Sequence, residues 1–254
     1  MNRRRHLHVL WLLAFIAPPP VWAADESDRD SQLGLGIGAW VHHSPYRDIA
    51  NRAGVLPLVD YENRYLHLFG NEIDVKVVRE GAFELAWRTK FAVGEGYKAS
   101  DAIEFSGMDQ RKGSINTGLV AAWRAPFAKL TADWLADVSG HSKGQGAKLE
   151  AEHAFRFAAR FEITPRLAAS WLDRKYVDYY YGVKPSEATQ ARPAYAGRST
   201  TNLEAGVRLG YLIDKHQRVL FDVDATRWGE GITESPLVGR KTTPGARIGY
   251  LYRF

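Results

Sequence analysis

The sequence predicts an all-β fold: an antiparallel up-and-down barrel that crosses a membrane, with about ten strands and a narrow, plugged lumen. Three observations predict it. Stretches of roughly ten residues alternate apolar and polar side chains again and again. Their apolar faces carry aromatic residues towards the ends (Trp40, Trp87, Phe91, Trp134, Trp171, Tyr211, Tyr250). The chain also opens on an export signal and closes on an aromatic residue, Phe254.

The start of the chain fixes the compartment. Arg3, Arg4 and Arg5 precede an apolar run from Leu7 to Ala17, then Pro18-Pro19-Pro20 and Val21-Trp22-Ala23. A charged start, a short apolar core and small residues before a cut are the parts of a secretory signal. The run is too short to span a bilayer, which needs about 20 apolar residues. The sequence thus divides into a signal (1–23) cut between Ala23 and Ala24, an acidic periplasmic leader (24–32) and a barrel (33–254). Residues 1–23 hold three arginines and no acid, so their removal lowers the formal charge from +5 to +2. A nucleic-acid partner loses its electrostatic support. The absence of cysteine excludes a disulfide framework, a thiolate zinc site, an iron–sulfur cluster and a lipid-modified N-terminal cysteine.

The strands follow in order, each with its apolar set on one face, because successive strand side chains point to opposite sides. A weaker strand at 33–41 comes first. In 72–78, Ile73, Val75 and Val77 oppose Glu72, Asp74 and Lys76. In 82–91, Phe83, Leu85, Trp87 and Phe91 oppose Glu84, Arg88 and Lys90. A weaker strand covers 115–124. In 128–138, Leu130, Ala132 and Trp134 oppose Lys129, Asp133 and Asp137. In 148–160, Leu149, Ala151, Phe155 and Phe157 oppose Lys148, Glu150, Glu152 and Arg156. After a weaker strand at 166–173, Leu203, Val207, Leu209, Tyr211 and Ile213 oppose Asn202, Glu204 and Arg208 in 201–213. Val219, Phe221 and Val223 oppose Arg218, Asp222 and Asp224 in 218–228. Ile248, Tyr250, Tyr252 and Phe254 oppose Arg247 and Arg253 in 246–254.

A soluble sandwich alternates too, but its strands usually run five or six residues. These are longer, and aromatic girdles around an apolar band are a feature of outer-membrane barrels. Connection lengths support this. Long outer loops at 92–113, 174–200 and 229–244 and a moderate one at 139–146 alternate with short turns at 79–81, 125–126, 164–165 and 214–217. The segment 62–78 is read as one strand with a bulge at Gly70, because a hairpin at Gly70-Asn71 would make the strand count odd. The count is then ten.

Inward positions are densely charged in both signs, from Glu72 and Asp74 through Asp133, Glu150 and Glu204 to Asp222 and Arg247. A small barrel is filled by side chains, so these charges are expected to pair across a lumen with at most a narrow conducting path. Gly34, Gly36 and Gly38 make room on the first strand and lack the following helix of a nucleotide site. His42-His43 lacks a third metal ligand. Ser142 beside His141 suggests a hydrolase only weakly, since sequence neighbours seldom reach catalytic geometry and no acidic orienter is evident. Tyr179, Tyr180 and Tyr181 open the longest outer loop, where a place in the interfacial belt is preferred over a grip on sugar or lipid headgroups.

Several segments resemble the MipA/OmpV family of MltA-interacting outer-membrane proteins: Ser139-Gly140-His141-Ser142-Lys143-Gly144-Gln145; Trp171 to Val183, including Tyr179-Tyr180-Tyr181-Gly182; Leu56 to Glu62; and the ending Gly249 to Phe254. The resemblance spans essentially the whole mature chain. It implies a non-enzymatic barrel in the outer membrane of a Gram-negative bacterium. It also implies a scaffold linking a lytic murein transglycosylase to a murein synthase of the penicillin-binding class. No cofactor, metal or catalytic residue comes with it, and the signature loops carry no assigned role. The ending resembles a barrel-assembly signal made of Ile248, Tyr250, Tyr252 and Phe254, so the assembly machinery joins outer-membrane lipid and lipopolysaccharide as expected partners. A narrow porin-like channel and an outer-membrane hydrolase are the alternatives.

Overall fold

The computed structural model describes residues 31–49, 51–92 and 96–254. The signal, its cut site and most of the leader lie outside them. The strands are β1 (Ser31–His42), β2 (Arg52–Asn63), β3 (Leu66–Phe69), β4 (Glu72–Glu80), β5 (Phe83–Phe91), β6 (Ile115–Arg124), β7 (Lys129–Asp137), β8 (Gln145–Glu152), β9 (Phe155–Phe157), β10 (Phe161–Leu172), β11 (Thr200–Leu212), β12 (Gln217–Arg227) and β13 (Thr242–Arg253). Neighbours pair antiparallel, β1 pairs with β13, and β10 pairs with β11, so the sheet closes. Closure leaves no unpaired edge, as lipid demands of a spanning sheet.

β9 continues β8 past an interruption. Glu152 faces Arg166 and Phe155 faces Ile163, which is a single register. The interruption has a cause in Pro165, opposite His153. The His153 N–H donates to the Pro165 carbonyl, but proline has no N–H to return. The barrel therefore has twelve staves, β8 and β9 forming one, rather than the ten expected.

Three expectations are corrected here. Residues 52–63 are a full strand, where none was expected before residue 62: Pro57 disguises it, yet its apolar and polar residues alternate through Val59, Asp60, Tyr61 and Glu62. Gly70-Asn71 is a hairpin turn and not a bulge, with Gly70 at φ 57°, the left-handed conformation glycine adopts freely. Leu68 faces Ile73 and Leu66 faces Val75 across it, which accounts for the parity change. The count stays even because a second turn precedes β3, where Asn63 Oδ1 accepts the N–H groups of Tyr65 and Leu66 at 2.8 and 2.6 Å. A bulge does occur, at Val77. Finally, Thr164 and Pro165 lie inside β10, and the turn falls at Ala158 to Arg160, with Ala158 and Ala159 at positive φ.

Orientation follows the alternation. Leu167 is 66 % exposed and its neighbour Arg166 6 %. Trp87, Trp123, Trp134 and Trp171 face outward. Trp40 does not: it is buried in the lumen with Leu56, Leu58 and Leu251. It takes the inward parity of Gly34, Gly36 and Gly38, while Leu33, Leu35, Ile37 and Val41 face lipid. An added Cβ at Gly36 would fall 2.0 Å from the Tyr250 carbonyl oxygen, so only glycine fits there.

Candidate functional site

The lumen has two kinds of wall. Where β13, β1 and β2 meet, glycines, leucines and Trp40 line it, and Arg253 of β13 reaches Asp60 of β2 across them at 2.8 Å. The rest is a network of buried ion pairs. Asp222, fully buried, is shared by Arg166, Arg208 at 3.6 Å and Arg247 at 2.9 Å. Arg166 also reaches Glu204 at 3.2 Å, and Arg208 reaches Glu152 at 3.4 Å. Lower down, Arg218 and Arg156 flank Glu162 at 3.1 and 3.3 Å. Across the barrel, Arg88 forks onto both oxygens of Asp74 at 2.7 Å, and Lys90 holds Glu72 at 2.8 Å. Removing charges from water is costly unless they are matched, and here opposite charges meet across the lumen.

The outer loops fold into a cap. Helix α1 (Arg174–Tyr181) starts at Asp173, whose side chain accepts the Tyr176 N–H, a standard N-cap. The shorter α2 (Glu230–Thr233) follows β12. Tyr46, Tyr97, Phe105, Val177, Tyr180 and Ile232 pack into an apolar core of their own above the lumen. Tyr180 and Tyr181 are buried there, so they form neither an interfacial belt nor an exposed grip. The Tyr179 hydroxyl accepts the Lys112 N–H at 2.8 Å. Gly182 ends α1 and donates to the Asp178 carbonyl.

Between cap and ion network lies a cavity of about 330 Å³. His42, Lys90, Asp133, Lys148, Tyr176 and Arg247 are among its lining. Asp133 has no hydrogen bond or ion pair among the described residues; Arg88, Lys90 and Lys148 oppose its charge at longer range.

The signature loop is a staple held by one carboxylate. The Asp137 carboxylate accepts Ser139 N–H at 2.8 Å, Ser139 Oγ at 2.6 Å, Ser142 Oγ at 3.0 Å and Lys143 N–H at 2.8 Å. Asp137 therefore ties down the loop at the rim of β7 instead of pairing inside the lumen. His141 Nδ1 lies 2.8 Å from the Gly113 carbonyl oxygen, so that nitrogen carries the proton and cannot accept one from Ser139 at 3.2 Å. Ser142 is buried against Ser114 and has no hydrogen bond to His141 among the described residues. Gly140 takes the turn at φ 76°, and Gly144 abuts the Tyr176 backbone. Gln145 begins β8. His42 stacks on Trp40 at 5.0 Å, and no cluster of three metal-ligating side chains exists among the described residues.

Sequence reasoning missed several network residues. Asp60 and Glu162 fall outside every expected strand and Arg166 opens one whose inward face was not read, although Glu162, Thr164 and Arg166 alternate with Phe161, Ile163 and Leu167. Arg111 and Glu187 of the cap lie in loops, which carry no period to read. At the other end, Ile248, Tyr250 and Tyr252 line the outward face of β13, and Phe254 is exposed at its end.

The sequence model of the family described as MltA-interacting protein MipA matches residues 35–254. The outer membrane protein Omp26La of Vibrio anguillarum is 28 % identical over 159 residues, 62 % of each chain. The outer membrane protein OmpV of Vibrio cholerae is 27 % identical over 159 residues, again 62 % of each. The MltA-interacting protein of Escherichia coli (strain K12) is 22 % identical over 244 residues, 91 % of this chain and 94 % of its own. Among solved structures, an outer membrane channel from Pseudomonas putida F1 overlaps 94 % of this chain and all of its own with a TM-score of 0.48 and 12 % identity. The barrel resides in the outer membrane, and the chain belongs to the MipA family of MltA-interacting proteins.

Proposed function

We propose that this barrel is a non-enzymatic scaffold that holds murein-remodelling enzymes, a lytic transglycosylase and a murein synthase, at the inner surface of the outer membrane. The observation that carries this is the occupied lumen: buried ion pairs cross its middle, and a folded cap with its own apolar core lies over the outer end. Such a barrel offers its periplasmic turns, at 64–65, 81–82, 125–128, 158–160 and 213–216, as the surface for work in the periplasm. The name of the Escherichia coli relative supports the transglycosylase as partner. Export through a signal cut after Ala23 belongs to the same reading, and N-terminal sequencing of the membrane-extracted protein checks it.

The test is a pull-down of tagged protein from gently cross-linked envelopes, with an unrelated barrel as control. Recovery of a transglycosylase or synthase above that control supports the scaffold. Recovery of neither, together with steady single-channel conductance of the folded barrel, favours the porin-like alternative.

A further inference from the structure

The outward positions of the twelve staves are apolar, aromatic or uncharged almost throughout. Arg227 is the one basic side chain among them. It ends β12, it is exposed, and its neighbours across the ladders are Leu203 and Thr242. Its guanidinium has no hydrogen-bond or ion-pair partner among the described residues. An outward arginine is excluded from hydrocarbon and tolerated at the polar boundary, and the tryptophan girdle marks that boundary here. Trp171 lies beside Arg227 across an open groove of about 670 Å³. Arg198, Ser199, Thr200 and Thr201 also line the groove, as does one carboxylate, Glu230. Arg198 is hydrogen-bonded to Glu234 at the surface. Below the groove the wall continues as outward Leu203.

We propose that this groove seats a phosphoryl headgroup of an outer-leaflet glycolipid. Arg227 supplies the principal charge-assisted hydrogen bonds, Arg198 and the hydroxyls of Ser199 and Thr201 supply further donors, and the acyl chains run down past Trp171 and Leu203. A guanidinium matches phosphate geometry with paired donors. The apolar wall directly beneath the cations selects an amphiphile over a free anion, because a phosphate ion gains nothing from leucine and indole.

The test titrates detergent-folded full chain with lipid A and counts retained lipid by native mass spectrometry. Folding of each variant is verified by its heat-modifiable gel mobility. Lipid A binds the natural chain, and Arg227→Gln weakens binding at least about tenfold, the size expected for losing a charge-assisted pair. Arg227→Lys restores part of it. Should the glutamine variant not fold, the natural chain with enzymatically dephosphorylated lipid A gives the same comparison, with the same loss expected. Undiminished binding by Arg227→Gln or by dephosphorylated lipid overturns the proposal. Displacement of lipid A by millimolar inorganic phosphate assigns the groove to a free anion and overturns it too.

Discussion

The Arg111 guanidinium holds both carboxylate oxygens of Glu187, at 2.8 and 3.0 Å, inside the cap. The two residues come from different outer loops, and both are buried. Arg111 further donates to the carbonyls of Tyr179 and Asp109, while Glu187 accepts the N–H groups of Asp109 and Lys184. This buried pair thus ties the outer loop after β5 to the one after β10, helped at the surface by the Lys184–Asp109 pair. Removing one partner of a buried pair costs about 3–5 kcal/mol, because the other charge is stranded. Arg111→Met is therefore expected to open the cap while the barrel persists. Limited proteolysis reads this out: rapid cutting in those two loops with an unchanged gel shift is expected, and unchanged protease resistance would contradict it.

The same pair sets a pH dependence. Burial pushes the Glu187 carboxyl up, but hydrogen bonds from Arg111 and from two backbone N–H groups outweigh burial and hold it below its ordinary value of 4.5. A depressed carboxyl stabilises the fold fully above its unfolded-state value and loses that contribution as pH falls through the folded one. Cap protection against hydrogen exchange should stay flat from neutral pH down to about pH 5 and decline below about pH 4. In Glu187→Gln that acid-dependent step should vanish. An identical decline in the variant would show that other groups set it.

Asp222 is the counter-charge for three arginines in the middle of the lumen. Asp222→Ala leaves Arg166, Arg208 and Arg247 short of acceptors, with a cost of about 3–5 kcal/mol. The midpoint of the heat-induced mobility shift is expected to fall clearly. Asp214→Ala, in an exposed periplasmic turn, serves as the comparison and should change it little. Equal midpoints for both would show that the ion network contributes nothing to barrel stability.

Phe254 is exposed past the end of β13, on the outward face continued from Ile248, Tyr250 and Tyr252. We propose that this row is read by the assembly machinery, so deletion of Phe254 should lower the amount of folded barrel in the membrane without lowering synthesis. Quantitative blotting of heat-modifiable against total protein separates the two. A normal folded fraction would remove the assembly-signal reading.

Strand faces were legible because lipid and lumen impose opposite chemistry on alternate residues, so β4, β5, β7, β8 and β11 to β13 show their periods plainly. The misreadings share a cause. Pro57 and Pro165 look like breakers, yet both sit within strands, Pro57 with its ring on the lipid-facing side. The hairpin at Gly70-Asn71 was rejected because a second turn, held by the Asn63 side chain, has no strong residue signal of its own. Trp40 was misplaced since aromatic character suits both lipid boundary and luminal packing. The cap was illegible for a different reason: its core joins residues from loops far apart in sequence, and no local pattern announces that Tyr46, Phe105, Tyr180 and Ile232 meet.

The inward face of β1 runs through Gln32, Gly34, Gly36, Gly38, Trp40 and His42, without an acid, a lysine or an arginine. This is the strand that meets β13, where the two ends of the chain come together. Every other seam with charged inner faces must dehydrate ions as it zips. β1 brings no lysine, arginine, aspartate or glutamate to its seam with β13, and the bare Cα of Gly36 lets the Tyr250 carbonyl approach closely. The seam that joins the first strand to the last is thus held by backbone hydrogen bonds and apolar packing, while the charges of β13 are answered by Asp60 and Asp222 and not by β1.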